Sequence, residues 1–371
     1  MRVMTDELRL EERVSIALRR LYRAYGYQPY RVNRFEEYEL YMRNKSFLTS
    51  EQVLAFCDTD GRLLALKPDV TLSVVKNTRD SDGPMKVFYS ESVYRVPRAG
   101  YGFAEIMQTG VELIGRVDAY AMGEVLMLAA RSLEAISGEY ALDLADLSIT
   151  EGVLSGETLG EGEKRELLTL ISQKNLHGLT ALCDSLGVGA QTKAWLSALI
   201  TEYGPLRETL ARMEALSLPP ACKRGLSDLR AVAELLDAFG VKQVNLDFSV
   251  VNDMNYYNGL VFGGFIDGIP GGVLSGGRYD RLMEKMGRTS EAIGFAVYLD
   301  QLERFAPESR EPDVDTLLLY DEDAQAAGAA RAAQALIARG ERVRVQRGGV
   351  PERLCCRRVV RLGEGGDEQW G

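Results

Sequence analysis

Strand-like and helical patterns follow one another in this chain in an order that leaves few ways to fold it. Short strands crowd residues 56–115, a run of helical pieces punctuated by Gly and by Pro219-Pro220 fills about 150–240, and strands return from Val244 onward. The helical stretch therefore reads as an insertion into a strand-bearing core. Ahead of the first strands, Leu8, Val14, Ala17, Leu18, Leu21 and Tyr25 recur at helical spacing over residues 6–25, ending at Gly26. Phe56 to Leu66 reads as two strands around Asp60-Gly61, and a helix follows Lys67-Pro68-Asp69-Val70-Thr71, for which Asp69 or Thr71 is a simple cap. A further helix is expected over Ala119–Ser137.

The length of 371 residues exceeds one typical domain of about 150, so two or three compact units are expected. A net charge of −10 with 46% apolar residues excludes disordered and collagen-like chains. It also makes nucleic acid a poor default partner, because phosphate contacts demand clustered positive charge. No apolar run is long enough to span a bilayer, and Met1–Glu7 lacks the apolar core of a signal peptide, so a cytoplasmic protein without a membrane partner is expected. Five cysteines (Cys57, Cys183, Cys222, Cys355, Cys356) without a C-x-x-C pair point to neither a disulfide framework nor a zinc site. The single histidine, His177, lies in a polar stretch that reads as a loop or helix end, which disfavours histidine-based catalysis.

Residues 85–94 and 104–115 are the next strands. With a period of two, Met107, Thr109, Val111 and Leu113 share one face of the second, while Ile106, Gln108, Gly110, Glu112 and Ile114 share the other. Gln108 and Glu112 thus project the same way about 13 Å apart. Such a face either floors a pocket or is a half-exposed sheet surface, and this segment alone favours neither. Later strands are expected at Val244–Val251, from Tyr256 to Ile266 and at Val273–Ser275, with a helix over Arg278–Met286 and a strand-to-helix passage over Ala292–Phe305. Tyr256-Tyr257 then reads as a strand pair and Gly276-Gly277 as a permissive turn. Beyond Pro312 the chain becomes Ala- and Arg-rich, with a strand–helix–strand start and only two or three strands in all. Eight arginines between 339 and 361 read as a solvated face.

Several segments, in one order, carry a resemblance: Leu66-Lys67-Pro68-Asp69-Val70-Thr71, Val93-Tyr94-Arg95, Gln108-Thr109-Gly110-Val111-Glu112, Tyr256-Tyr257-Asn258-Gly259, Gly276-Gly277-Arg278-Tyr279-Asp280 and Ala292-Ile293-Gly294-Phe295-Ala296. Together they resemble the catalytic core of histidyl-tRNA synthetase, the Gly276–Asp280 segment being the most specific. The resemblance implies an α+β fold with a class II aminoacyl-tRNA synthetase-like core, a mostly antiparallel sheet flanked by helices. It implies a core over 1–310 with the helical insertion at about 150–240, and a small α/β segment over 311–371 similar to a truncated anticodon-binding domain. Residue by residue it implies a histidine site of Asp69, Thr71, Gln108, Glu112, Tyr256 and Tyr257, with Arg95 as a phosphate or carboxylate contact. The residue types suit that ligand: an α-ammonium wants carboxylates and hydroxyls, and an imidazole wants a Glu acceptor and a Tyr hydroxyl.

Departures from the enzyme point in one direction. Where a synthetase carries an arginine ahead of its paired tyrosines, this chain has Val251-Asn252-Asp253-Met254-Asn255; after Ala296 it has Gln301 where an arginine grips ATP; and Arg95-Val96-Pro97 replaces Arg-x-Glu. A charge-assisted contact is worth about 1.5–3 kcal/mol, so two lost arginines remove about two to four powers of ten in rate. A histidine pocket without ATP chemistry resembles the synthetase paralogues that serve as regulatory subunits of ATP phosphoribosyltransferase. That implies no catalytic residues, no cofactor beyond L-histidine as regulatory ligand, and assembly as a dimer with the short-form catalytic subunit in a hetero-oligomer. The competing implication is an active histidyl-tRNA synthetase or a related ATP-dependent aminoacyl transferase.

Overall fold

The computed structural model describes residues 8–48, 52–78, 83–96, 102–250, 256–303 and 312–362, and the backbone of 368–370. The chain forms two compact units, Met1–Phe305 and Ala306–Gly371.

In the first unit, α1 (Leu10–Ala24) buries Val14, Leu18 and Tyr22 on one stripe, and the chain turns away at Gly26, whose φ of 82° suits a residue without Cβ. After β1 (Gln28–Pro29), β2 (Phe35–Glu37) and α2 (Tyr38–Arg43), the strands β3 (Ala55–Cys57) and β4 (Leu63–Leu66) form the expected hairpin around Asp60-Gly61. They complete a small antiparallel sheet in the order β2-β4-β3. Helix α3 (Thr71–Asn77) follows, with Asp69 Oδ1 accepting from the Leu72 amide at 2.8 Å. Next come β5 (Met85–Arg95), β6 (Ala104–Gly115) and α4 (Ala119–Glu134), the last capped by Asp118 through the Ala121 amide at 3.0 Å.

Strand β7 (Tyr140–Asp146) was not expected from the sequence. Its Tyr-Ala-Leu-Asp-Leu-Ala-Asp pattern, wedged between two strongly helical patterns, buries Leu142 and Leu144 fully. The inserted segment is α5 (Leu147–Leu154), α6 (Glu161–Ser172), α7 (Leu176–Leu186), α8 (Ala190–Thr201), the two-residue β8 (Gly204–Pro205), α9 (Leu206–Ala215) and α10 (Lys223–Ala238). His177 is exposed in the first turn of α7. The core resumes with β9 (Val244–Leu246), β10 (Leu260–Ile266), β11 (Leu274–Arg278), α11 (Asp280–Lys285), β12 (Glu291–Tyr298) and α12 (Asp300–Glu303).

Two readings are corrected here. Tyr256 and Tyr257 precede β10 in a turn rather than in a strand, and Gly276-Gly277 lie inside β11 rather than in a turn before a helix. Neither glycine has a positive φ; the reason for glycine there is proximity, since a Cβ on Gly276 would sit 2.4 Å from Phe295 Cβ. The main sheet runs β1-β5-β6-β12-β11-β10-β7-β9-β8, antiparallel except for the β1–β5 and β7–β9 pairs. This is the class II synthetase-like α+β architecture.

Both faces of β6 are covered from Gln108 to Ile114, while Met107 is exposed. Val111 and Leu113 join the core built with α1, α4 and the inserted helices, whereas Ile106 and Ile114 join a second core with α3, Tyr256 and Tyr279. The period-two division holds, and the half-exposed alternative does not.

The second unit contains β13 (Val314–Tyr320), α13 (Ala326–Ala338), β14 (Val343–Arg347), β15 (Cys356–Leu362) and β16 (Glu368–Trp370). Its sheet has four strands, one more than the most expected, in the order β14-β13-β15-β16, parallel except for the last pair. Leu318, Ala329, Ala333, Val360 and Leu362 form its core. Many of its arginines meet local acids: Arg358 pairs with Glu341, Arg361 with Asp321, Arg347 with Asp323, and both Arg342 and Arg357 with Asp315.

Among the described residues no helix is long and apolar enough to cross a membrane, and no group of His, Cys, Asp and Glu is arranged to hold a metal ion.

Candidate functional site

Glu112 anchors the site. It sits mid-strand in β6, 1% exposed, and its side chain crosses the neighbouring strand where Gly294 stands opposite it. A Cβ on Gly294 would lie 1.9 Å from Glu112 Oε2, so only glycine leaves the carboxylate room. Thr71, the first residue of α3, donates its hydroxyl to Glu112 Oε1 at 2.6 Å, and Tyr279 donates to Oε2 at 2.6 Å. Burial pushes the Glu112 carboxyl up to about 8, against the lowering effect of those two hydroxyls, with Asp69 adding repulsion.

Asp69 faces the same space from the turn before α3. Burial raises its carboxyl too, opposed by the Leu72 amide and by the positive charge of Arg95. A buried carboxylate, Glu112, and a partly buried one, Asp69, thus lie within electrostatic reach of each other, and neither meets a cation within salt-bridge distance among the described residues. Aromatic rings wall it. Tyr256, 7% exposed, packs edge-on to Tyr257 at 4.8 Å between centroids and lies 6.0 Å from Tyr279 and 6.4 Å from Phe47. Tyr257 covers Gly277, where a Cβ would come within 2.6 Å of its ring. Burial holds the Tyr89, Tyr256 and Tyr279 hydroxyls well above their usual range, so all three stay protonated donors.

Gln108 lies two positions beyond Gly110 on the same face of β6 and is 4% exposed. Its amide meets no hydrogen-bond partner among the described residues. Opposite it on β5, Glu91 is held by the fully buried Lys67 at 2.8 Å, so that carboxylate is already neutralised. Arg95, at the end of β5, is 8% exposed and forms no ion pair with a described residue; its guanidinium carbon lies 5.9 Å from the centroid of the Tyr298 ring.

The structure brings Asp69, Thr71, Gln108, Glu112, Tyr256, Tyr257 and Arg95 to one side of the main sheet. Sequence reasoning missed Tyr279, Tyr89 and Tyr298. The available signal was that Ser275, Gly277 and Tyr279 alternate on the face where Gly294 and Glu112 meet. Arg278, from the same motif, turns to the other task of tying strands: it bonds Asp280 at 2.6 Å and pairs with Glu291. Of the departures from the enzyme, Gln301 is in α12 with its Oε1 buried and unbonded among the described residues. Residues 251–255 and Pro97 lie outside the described residues.

The arrangement is chemically specific. A buried guanidinium free of ion pairs among the described residues calls for an anion, and a buried and a partly buried carboxylate beside protonated tyrosines call for a cation or N–H donors. A zwitterion with a basic side chain satisfies both.

Comparison with known proteins places the chain. The family description for histidyl-tRNA synthetase matches residues 2–302. A curated ATP phosphoribosyltransferase regulatory subunit from Acetivibrio thermocellus is 28% identical over 332 residues, covering 86% of this chain and 79% of that protein. A crystal structure described as an ATP phosphoribosyltransferase regulatory subunit/histidyl-tRNA synthetase from Bacillus halodurans superposes with a TM-score of 0.75 at 26% identity, covering 93% of this chain and 90% of the other. The ATP phosphoribosyl transferase (HisG:HisZ) complex from Thermotoga maritima shares the fold, with a TM-score of 0.62 at 20% identity over 78% of this chain and 97% of that chain.

Proposed function

The chain belongs to the histidyl-tRNA synthetase family, and from its likeness to curated regulatory subunits within that family we infer that it is a regulatory subunit of ATP phosphoribosyltransferase in histidine biosynthesis, not an aminoacylating enzyme. It works in complex with the catalytic subunit of that transferase. The further assignments extend this reading: the partner is the short-form catalytic subunit, the chain self-associates as a dimer within a cytoplasmic hetero-oligomer, and histidine binds here to exert feedback inhibition. Residues 1–310 act as the synthetase-like core, and 311–371 as a reduced counterpart of the anticodon-binding domain.

One observation supports the histidine assignment above the rest. Arg95 is buried without an ion pair among the described residues, on the same sheet face as the buried Glu112 and the partly buried Asp69. In the proposed complex the α-ammonium meets Asp69 and Thr71, the imidazole meets Glu112 and the tyrosine hydroxyls, Gln108 bonds the amino acid backbone, and the carboxylate meets Arg95. No cofactor is assigned. Because a ligand shifts an equilibrium only through its differential affinity for two states, histidine acts by favouring the inhibited arrangement of the complex.

Calorimetric titration of the purified chain with L-histidine, followed by Mg-ATP, tests the reading. Saturable histidine binding with no ATP heat is expected. ATP binding strengthened by histidine would return the chain to the enzymes.

A further inference from the structure

On the site-facing side of the main sheet, strand register defines three successive rows. Glu112 stands opposite Gly294 and Gly294 opposite Gly277; Gly110 stands opposite Ala296 and Ala296 opposite Ser275; Gln108 stands opposite Tyr298. On β12 and β11 the first two rows carry nothing larger than a hydroxymethyl group; Glu112 lies over Gly294 and Tyr257 over Gly277, and the second row, Ala296 and Ser275, is the low part of the floor. The third row changes abruptly to a large ring. The Tyr298 hydroxyl lies 3.3 Å from Ser275 Oγ, back along the floor, while its ring stacks against Arg95 at 5.9 Å. The side chain thus bridges Ser275 and Arg95. A cation–π contact fixes the guanidinium without neutralising it, which leaves its N–H donors for an anion.

From this bridge we infer that Tyr298 determines specificity: it closes the floor at the carboxylate end and restricts the site to a free amino acid. A ligand continued through its carboxyl group, as in a peptide or a mixed anhydride, runs into the ring. The inference rests on the amino-acid reading of the site given above. It assigns to Tyr298 a role distinct from that of Arg95: the arginine holds the carboxylate, and the tyrosine rejects whatever is attached to it.

The full chain is titrated with L-histidine and with L-histidylglycine, which extends histidine by one residue through its carboxyl group. The native protein is expected to prefer free histidine by about 100-fold. Tyr298→Ala is expected to narrow that preference to about tenfold or less, while Tyr298→Phe, which keeps the ring, stays near the native ratio. Thermal melting controls for folding, and if Tyr298→Ala melts early, Tyr298→Leu replaces it with the same expectation. A native ratio near unity, or a native ratio undiminished in the variant lacking the ring, overturns the role of Tyr298 while leaving histidine binding intact. Absence of histidine binding by the native chain instead overturns the amino-acid reading itself, and this inference with it.

Discussion

Glu112 concentrates the chemistry of the site, because the fold sets its proton and the proposed histidine would displace it. The folded carboxyl lies near 8, above its usual value of 4.5, with Asp69, Tyr279, Tyr89 and Thr71 facing it. A group whose pKa rises on folding stabilises the protein fully below its unfolded value and loses that contribution as pH climbs through the folded value. The ligand-free melting temperature is therefore expected to fall between pH 5 and about 9, and Glu112→Gln to flatten that fall, as read by scanning calorimetry across pH. Binding has the opposite slope. A cationic or N–H-donating ligand prefers ionised Glu112, so histidine affinity is expected to rise by about tenfold per unit from pH 6 toward 8, with proton release visible as a buffer-dependent binding enthalpy. Affinity that stays flat over this range would separate the ligand from Glu112. Arg95→Ala is expected to weaken histidine binding by about ten- to a hundredfold, the loss of one charge-assisted contact.

At the scale of elements, the site depends on strands whose small residues let large polar ones cross them. Gly294 in β12 is the sharpest case: a Cβ there would meet Glu112 Oε2 at 1.9 Å and Val111 O at 2.4 Å. Gly294→Ala is expected to destabilise the first unit by at least about 1–3 kcal/mol and to abolish histidine binding, checked by denaturant melts and titration. Unchanged stability would mean that β6 and β12 are further apart than described. These strands also show what sequence can convey. The alternation in β6 placed Gln108 and Glu112 together correctly, because a strand's period is fixed by its backbone. Strand β7 escaped notice because its alternation spans only Tyr140–Asp146, between helical patterns that continue on either side. The glycines at 276 and 277 suggest a turn because sequence reports their freedom of backbone and not the ring and strand packed against them. Tyr279 was in view inside the most specific motif, yet its partner Glu112 lies 167 positions away, a pairing visible only after the strands are ordered.

For the whole molecule, regulation requires a subunit that binds histidine and a partner without performing chemistry of its own. The net charge of −10 and the acid-paired arginines of the second unit, among them Arg358 and Arg361, match that role better than tRNA binding. No shift of tRNA mobility is expected at physiological salt. The measurement that bears most directly on the account is the phosphoribosyl-ATP synthesis rate of a short-form catalytic subunit, taken alone, with the native chain, and with the Glu112→Gln chain, each with and without L-histidine. Both chains are expected to raise the rate, with histidine suppressing the native complex and leaving the Glu112→Gln complex largely active. A rate indifferent to the native chain, or equal inhibition of both complexes by histidine, would contradict the claim that this fold senses histidine for a partner enzyme.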